Sequence, residues 1–107
     1  MYKPLPKKLR LGFSNIHDIG VFAKESIPQG TNFGMTHLQF GENIIRTPLG
    51  GFLNHSDKPN CEKVKLRFTS SEEEAPYFFS KWNLITLKNI KEGEELTLKY
   101  TFYKIND

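Results

Sequence analysis

The sequence predicts a mostly β domain assembled from short, curved strands. Turn residues recur every few positions, and β-branched and aromatic residues dominate between them. No stretch sustains the 3.6-residue apolar period of an amphipathic helix. One segment, Lys63-Val64-Lys65-Leu66-Arg67-Phe68, alternates strictly, placing Val64, Leu66 and Phe68 on one face and three cations on the other.

The elements follow in chain order. Val21-Phe22-Ala23-Lys24 reads as a strand leading into the corner Ile27-Pro28-Gln29-Gly30. A glycine there permits the positive φ of a tight β-connection. From Gly34 to Gly51 the pattern weakens; at most one helical turn fits, in Glu42-Asn43-Ile44-Ile45-Arg46. Gly50-Gly51 argues for a close backbone approach or a sharp bend. After the alternating strand, residues 69–76 have the composition of an exposed connection, with Glu72-Glu73-Glu74 as a solvated tip. Residues 77–87 are again strand formers, so the two runs predict a long hairpin. A second corner, Ile90-Lys91-Glu92-Gly93, repeats the Ile-x-x-Gly pattern of the first behind its own strand, Leu84-Ile85-Thr86-Leu87. The two corners read either as related parts of two small sheets or as independent turns.

At 107 residues the chain is expected to be one domain over 1–107, with a basic N-terminal arm at 1–10 and a core at 11–103. Its hydrophobic share of 37 % and charged share of 25 % suit a folded domain rather than a disordered tail. No apolar run approaches the roughly 20 residues that span a bilayer. Met1 to Lys8 has a basic start but no apolar stretch after it, so no signal peptide is expected. The single cysteine, Cys61, rules out an internal disulfide and a cysteine-rich zinc site, and points to a reducing, intracellular compartment. Lys3, Lys7, Lys8 and Arg10 make the arm basic, while the remaining chain is close to balanced. A solvated arm explains this better than a nucleic-acid surface, which concentrates charge along a face.

Chemistry is densest in Phe52-Leu53-Asn54-His55-Ser56-Asp57-Lys58-Pro59-Asn60-Cys61. As a metal site it is poor, because His55 and Asp57 are its only strong ligands and His17 and His37 lie elsewhere. As a nucleophilic site, Ser56 or Cys61 with His55 lacks an orienting group and a known surrounding motif. A plain Asx/Ser/Pro turn explains residues 56–59. It leaves Asn54 and His55, directly after Gly-Gly-Phe-Leu, unexplained.

Asn54-His55-Ser56-x-x-Pro59-Asn60-Cys61 resembles the asparagine-histidine-serine signature of SET-domain protein lysine methyltransferases. Gly20-Val21-Phe22-Ala23 with the first corner is similar to that family's opening strand. Gly93-Glu94-Glu95-Leu96-Thr97-Leu98-Lys99-Tyr100 is similar to its closing motif. The pieces occur in the family's order over residues 20 to 100, and so short a chain is more similar to viral or bacterial members. The resemblance implies a SET-domain-like fold of several small curved sheets with a C-terminal pseudoknot. It also implies methyl transfer from S-adenosylmethionine to a lysine of a protein substrate, with S-adenosylhomocysteine as product. Asp18, Ile19 and Gly20 are then expected to let backbone approach the cofactor's amino-acid end. Asn54 would offer its side-chain amide to that ammonium or carboxylate, and His55 its main chain to the adenine. Tyr100 is the expected catalytic residue, holding the amine in line. Leu98 stands where relatives carry the residue that limits methylation, and Phe102 or Tyr103, or the partner in a homodimer, would close the lysine channel. Asp18 departs from the family's pattern, where a glycine is frequent, and the insert from Gly34 to Gly51 is short. Two other classes compete: a SET-like binding module without catalysis, and a small basic β-domain holding nucleic acid through Lys3, Lys7, Lys8, Arg10, Lys63, Lys65 and Arg67. Neither a metal nor a membrane partner is expected; the compartment is cytoplasmic, or the host cell interior for a viral protein.

Overall fold

The computed structural model describes residues 5–40, 42–69 and 78–99. It contains eight strands and one short helix among them: β1 (Leu9–Phe13), β2 (Ile19–Ala23), β3 (Asn32–Phe40), β4 (Asn43–Arg46), α1 (Pro48–Phe52), β5 (Asn54–His55), β6 (Cys61–Thr69), β7 (Phe78–Thr86) and β8 (Glu95–Leu98). They form two four-stranded sheets, one ordered β1-β2-β8-β5 and the other β4-β3-β7-β6. The expected mostly β architecture of small sheets is therefore found. The tip at 70–77 and the C-terminal stretch 100–107, on which the crossing of a pseudoknot would fall, lie outside the described residues.

The hairpin read from alternation is β6 and β7, in unbroken register from Cys61↔Thr86 to Thr69↔Phe78. Its faces divide unevenly. Cys61 and Leu84, at one end of the cation-bearing face, enter the core, whereas Leu66 on the apolar face is exposed at 39 %. The apolar side of this strand is thus not the core side along its length.

The segment 42–46 is not helical. It forms β4, antiparallel to β3 from Phe40↔Asn43 to His37↔Arg46, because pairing with a long neighbour satisfies its backbone groups where a four-residue helix could not. The helical turn comes one step later, where the sequence supplies its start. Thr47 is the N-cap, accepting from the Gly50 N–H, and Pro48 opens α1. Thr47 also donates its hydroxyl to the Met35 carbonyl at 2.7 Å, tying α1 to β3. The close approach expected at Gly50-Gly51 occurs at Gly50, where a β-carbon would strike the Thr36 carbonyl.

One core cluster joins the sheets: Leu9, Val21, Ala23, Ile27, Leu49, Leu53, Cys61, Leu84, Ile90, Leu96 and Leu98, with Leu5 and Phe33 packed against it. Leu9 and Arg10, which the sequence reading gave to the arm, pair in β1 with Ala23 and Phe22. The two Ile-x-x-Gly corners meet through an Ile27↔Ile90 bridge. Gly30 and Gly93 take matching φ values of 85° and 86°. They are related parts, not independent turns.

Candidate functional site

The site is assembled where β5, β8 and the loop between β1 and β2 converge. β5 is only two residues long, yet it pairs in parallel with β8, Asn54 opposite Thr97 and His55 opposite Leu98. The Ser56 N–H extends the pairing to the Leu98 carbonyl at 2.8 Å. Leu53, 1 % exposed, anchors the strand from one side. Asn60 clamps it from the other. Its Nδ2 donates to the Glu95 carbonyl at 2.8 Å, its Oδ1 accepts from the Thr97 N–H at 2.8 Å, and its own N–H donates to Thr97 Oγ1. The asparagine-histidine pair is thereby fixed beside β8, whose last residue, Leu98, stands two positions before Tyr100 in the sequence.

The loop of residues 14–18 folds around one hydroxyl. Ser14 Oγ accepts from the N–H groups of Ile16 and His17, and the Ser14 N–H donates to the Asp18 carbonyl at 2.8 Å. Asp18 closes the turn with φ of 38°, a left-handed conformation that favours glycine and tolerates Asp better than most residues. The glycine frequent at this point of the resembled motif would serve the same geometry.

Asn54 binds this loop to β8. Its Nδ2 lies within hydrogen-bond distance of four acceptors: the His17 and Ile19 carbonyls at 3.1 and 3.2 Å, Ser14 Oγ at 3.1 Å and Glu95 Oε2 at 2.8 Å. Ser14 in turn donates to the Glu95 carboxylate at 2.8 Å. Gly20 forms the floor, since a β-carbon there would run into the Glu95 carboxylate and approach the Asn54 amide. An amide nitrogen has two hydrogens to give, so four acceptors leave an oxygen-rich, anionic cradle. That set of acceptors fits a cation such as an ammonium and repels a carboxylate.

Of the residues expected at the site, the structure brings Asp18, Ile19, Gly20 and Asn54 together. His55 stands next to Leu98, with its Nε2 3.1 Å from Asp57 Oδ1. Leu98 is buried. Tyr100, Phe102 and Tyr103 lie outside the described residues. Sequence reasoning gave no role to Ser14, Asn60 or Glu95. Asn60 and Glu95 lie inside the motifs that resemble the family's, where an amide and a carboxylate are the signal for a clamp; Ser14 carries no such signal.

Beyond Leu98, a cavity of about 220 Å³ is lined by Pro59, Cys61, Glu62, Lys63, Trp82, Leu87, Leu98 and Lys99. Burial raises the Cys61 thiol to about 12, so it is a neutral core group rather than a nucleophile. Burial also lowers Lys63 from its ordinary range. Among the described residues no three His, Cys, Asp or Glu side chains group to hold a metal, and no helix is long and apolar enough to cross a membrane.

Comparison with known proteins agrees with this geometry. A family model described as "SET domain" matches residues 39–101. The fold is similar to that of a solved Plasmodium falciparum protein described as a "putative histone methyltransferase", with a TM-score of 0.67 and 18 % identity over 94 % of this chain and 100 % of that one. No curated protein gives a significant match.

Proposed function

The chain belongs to the SET-domain family, and from that premise we propose that it is an S-adenosylmethionine-dependent protein-lysine N-methyltransferase, releasing S-adenosylhomocysteine. We read residues 1–107 as one such domain, its core extending N-terminally to Leu9, working inside a cell. The observation that carries the proposal is the oxygen-rich cradle around Asn54, placed by β5–β8 pairing beside the strand that ends two positions before Tyr100 in the sequence.

S-adenosylmethionine supplies a methyl group on a positively charged sulfur, so the C–S bond breaks as the lysine nitrogen bonds the carbon. The chain's residues have three tasks. The first is to hold the cofactor's amino-acid end. The carbonyls of His17 and Ile19 and the Glu95 carboxylate suit its ammonium, with Asn54 keeping them together and Gly20 giving the Glu95 carboxylate its place. Of the two partners expected for Asn54, the ammonium is the one this electrostatics favours. The main chain of His55 would hold the adenine.

The second task is to deliver a neutral amine. A lysine has a reference pKa of about 10.4, and desolvation lowers it. Leu98, 2 % exposed, supplies an apolar wall two residues before Tyr100. The third task is alignment. A phenol of reference pKa about 10 is a poor base at neutral pH, so Tyr100 acts through its hydroxyl by fixing the amine in line. Phe102 and Tyr103 would enclose the lysine stem.

Isothermal titration with S-adenosylmethionine and mass spectrometry of transfer to protein lysines test this reading. Micromolar binding with transfer abolished in Tyr100→Phe is expected. No binding at millimolar cofactor would overturn it. Binding with no transfer to any protein substrate would leave a SET-like binding module instead.

A further inference from the structure

A row of side chains crosses all four strands of the second sheet on one face: Lys65, Trp82, His37 and Arg46. Each is directly opposite the next in antiparallel register, which puts them on a common side. The contacts agree. Lys65 Nζ lies 5.3 Å from the centre of the Trp82 ring, and His37 meets that ring edge-on at 6.4 Å between centroids. Lys63 and Arg46 both exert their positive fields on His37. Lys63, two residues before Lys65, shares the face. Lys63 and Trp82 also line the cavity beside Leu98, together with Lys99. Lys65, Arg46 and Lys99 are exposed. Among the described residues the acids nearby are Glu62 on the cavity rim and Glu94 toward Cys61, so there the described cations outnumber the described acids.

We propose that this face is the docking surface of the protein substrate, and that the substrate carries acidic residues flanking its target lysine. Lys63, Lys65, Arg46 and Lys99 attract the acidic side chains, while Trp82 and Leu98, both buried, form the apolar wall of the cavity beside which the lysine stem lies. The inference rests on the methyltransferase reading for the word substrate, and on Lys99 being the residue before Tyr100 for its place beside the reacting end. A peptide fits this surface better than a nucleic acid. Lys63 and Lys99 line a concave opening of about 220 Å³ that also bears Glu62, which admits a side chain and not a duplex.

The test separates binding from catalysis. Trp82 is the only tryptophan, so its emission reports occupancy of this face. The probes are a 12-residue peptide with one lysine among glutamates, the same peptide with arginines for glutamates, and a DNA duplex. The acidic peptide is expected to bind and to weaken with salt, since exposed charges are screened over about 10 Å at 0.1 M ionic strength. Arg46→Glu with Lys65→Glu should weaken it about tenfold, with the arginine peptide gaining affinity for that variant. Arg46→Gln with Lys65→Gln, checked by circular dichroism, guards against a folding defect and should lie between. Equal or tighter binding of the arginine peptide to the native chain, indifference to the reversals, or tighter binding of DNA through the same residues would overturn the proposal. Reversal-sensitive binding of the acidic peptide supports the docking surface even where no methyl is transferred, in which case only the catalytic reading fails.

Discussion

Ile27 and Ile90 donate a backbone hydrogen bond to each other, N to O at 2.8 Å in both directions. Around them the bonds repeat with the two corners exchanged. The Gly30 N–H donates to the Thr86 carbonyl and the Gly93 N–H to the Ala23 carbonyl; Ala23 donates to Glu94, and Thr86 to Thr31. The corners are thus related by a local two-fold, with both isoleucines 1 % exposed at its centre. Ile27→Ala and Ile90→Ala should each cost about 2–5 kcal/mol in urea unfolding, as buried large-to-small changes do. Because the two residues pair, the double variant should cost less than the sum of the singles.

Gly30→Ala and Gly93→Ala meet no neighbouring atom, so their cost is the left-handed backbone alone, about 1–2 kcal/mol. Gly20→Ala differs in kind. Its β-carbon strikes Glu95 and Asn54, so calorimetry should show loss of cofactor binding while circular dichroism still reports a folded chain.

Asn60→Ala removes the two side-chain hydrogen bonds that tie the segment after β5 to β8, to the Glu95 carbonyl and from the Thr97 N–H. It leaves the Thr97 N–H and Glu95 carbonyl without these partners, which should cost about 2–3 kcal/mol in denaturant unfolding. Asn60→Asp, which keeps the acceptor for Thr97, should cost less.

Burial, reinforced by Lys63 and Arg46, lowers His37 from 6.5 to about 4. The folded protein therefore takes up this proton only at lower pH than the unfolded chain does. The stability contributed by neutral His37 is full above about pH 6.5 and is lost as pH falls toward 4, by up to about 3 kcal/mol. Urea midpoints measured at pH 7, 5.5 and 4 should fall less steeply in His37→Gln than in the native chain.

Cys61 is buried, and burial raises its thiol to about 12 from 9.0. At pH 8 iodoacetamide should label the native protein at least roughly a hundredfold more slowly than the urea-unfolded chain, because the thiolate is the reacting form. The contribution of the neutral thiol to stability persists below pH 9 and is lost as pH rises toward 12.

Much of this was legible in the residues. The Lys63–Phe68 alternation located β6, the repeated Ile-x-x-Gly corners announced a pair that meets, and Asn54-His55 marked the centre of the site. The middle was harder. Asn43–Arg46 has no alternation to separate a strand from a turn, and only its pairing with β3 decides; the capping signal at Thr47-Pro48 was present but local. Which face of β6 is buried was not written in the alternation either, since it is β8, distant in sequence, that packs against β6 and draws Cys61 into the core beside Leu98. The cradle around Asn54 depends on four contacts, to Ser14, His17, Ile19 and Glu95, each at least 35 positions away in the chain. No local pattern encodes such contacts.

β8 lies inside its sheet, flanked by β2 on one side and β5 on the other. A chain emerging from the ribosome therefore cannot complete that sheet until Glu95–Leu98 has been made, and its earlier strands must wait as open edges. Contacts so distant in sequence fold slowly. Helpers that shield sticky edges during synthesis should thus matter more to the yield of this small protein than its size suggests, and shortening it from the C-terminal side into β8 should give aggregates rather than a smaller working unit.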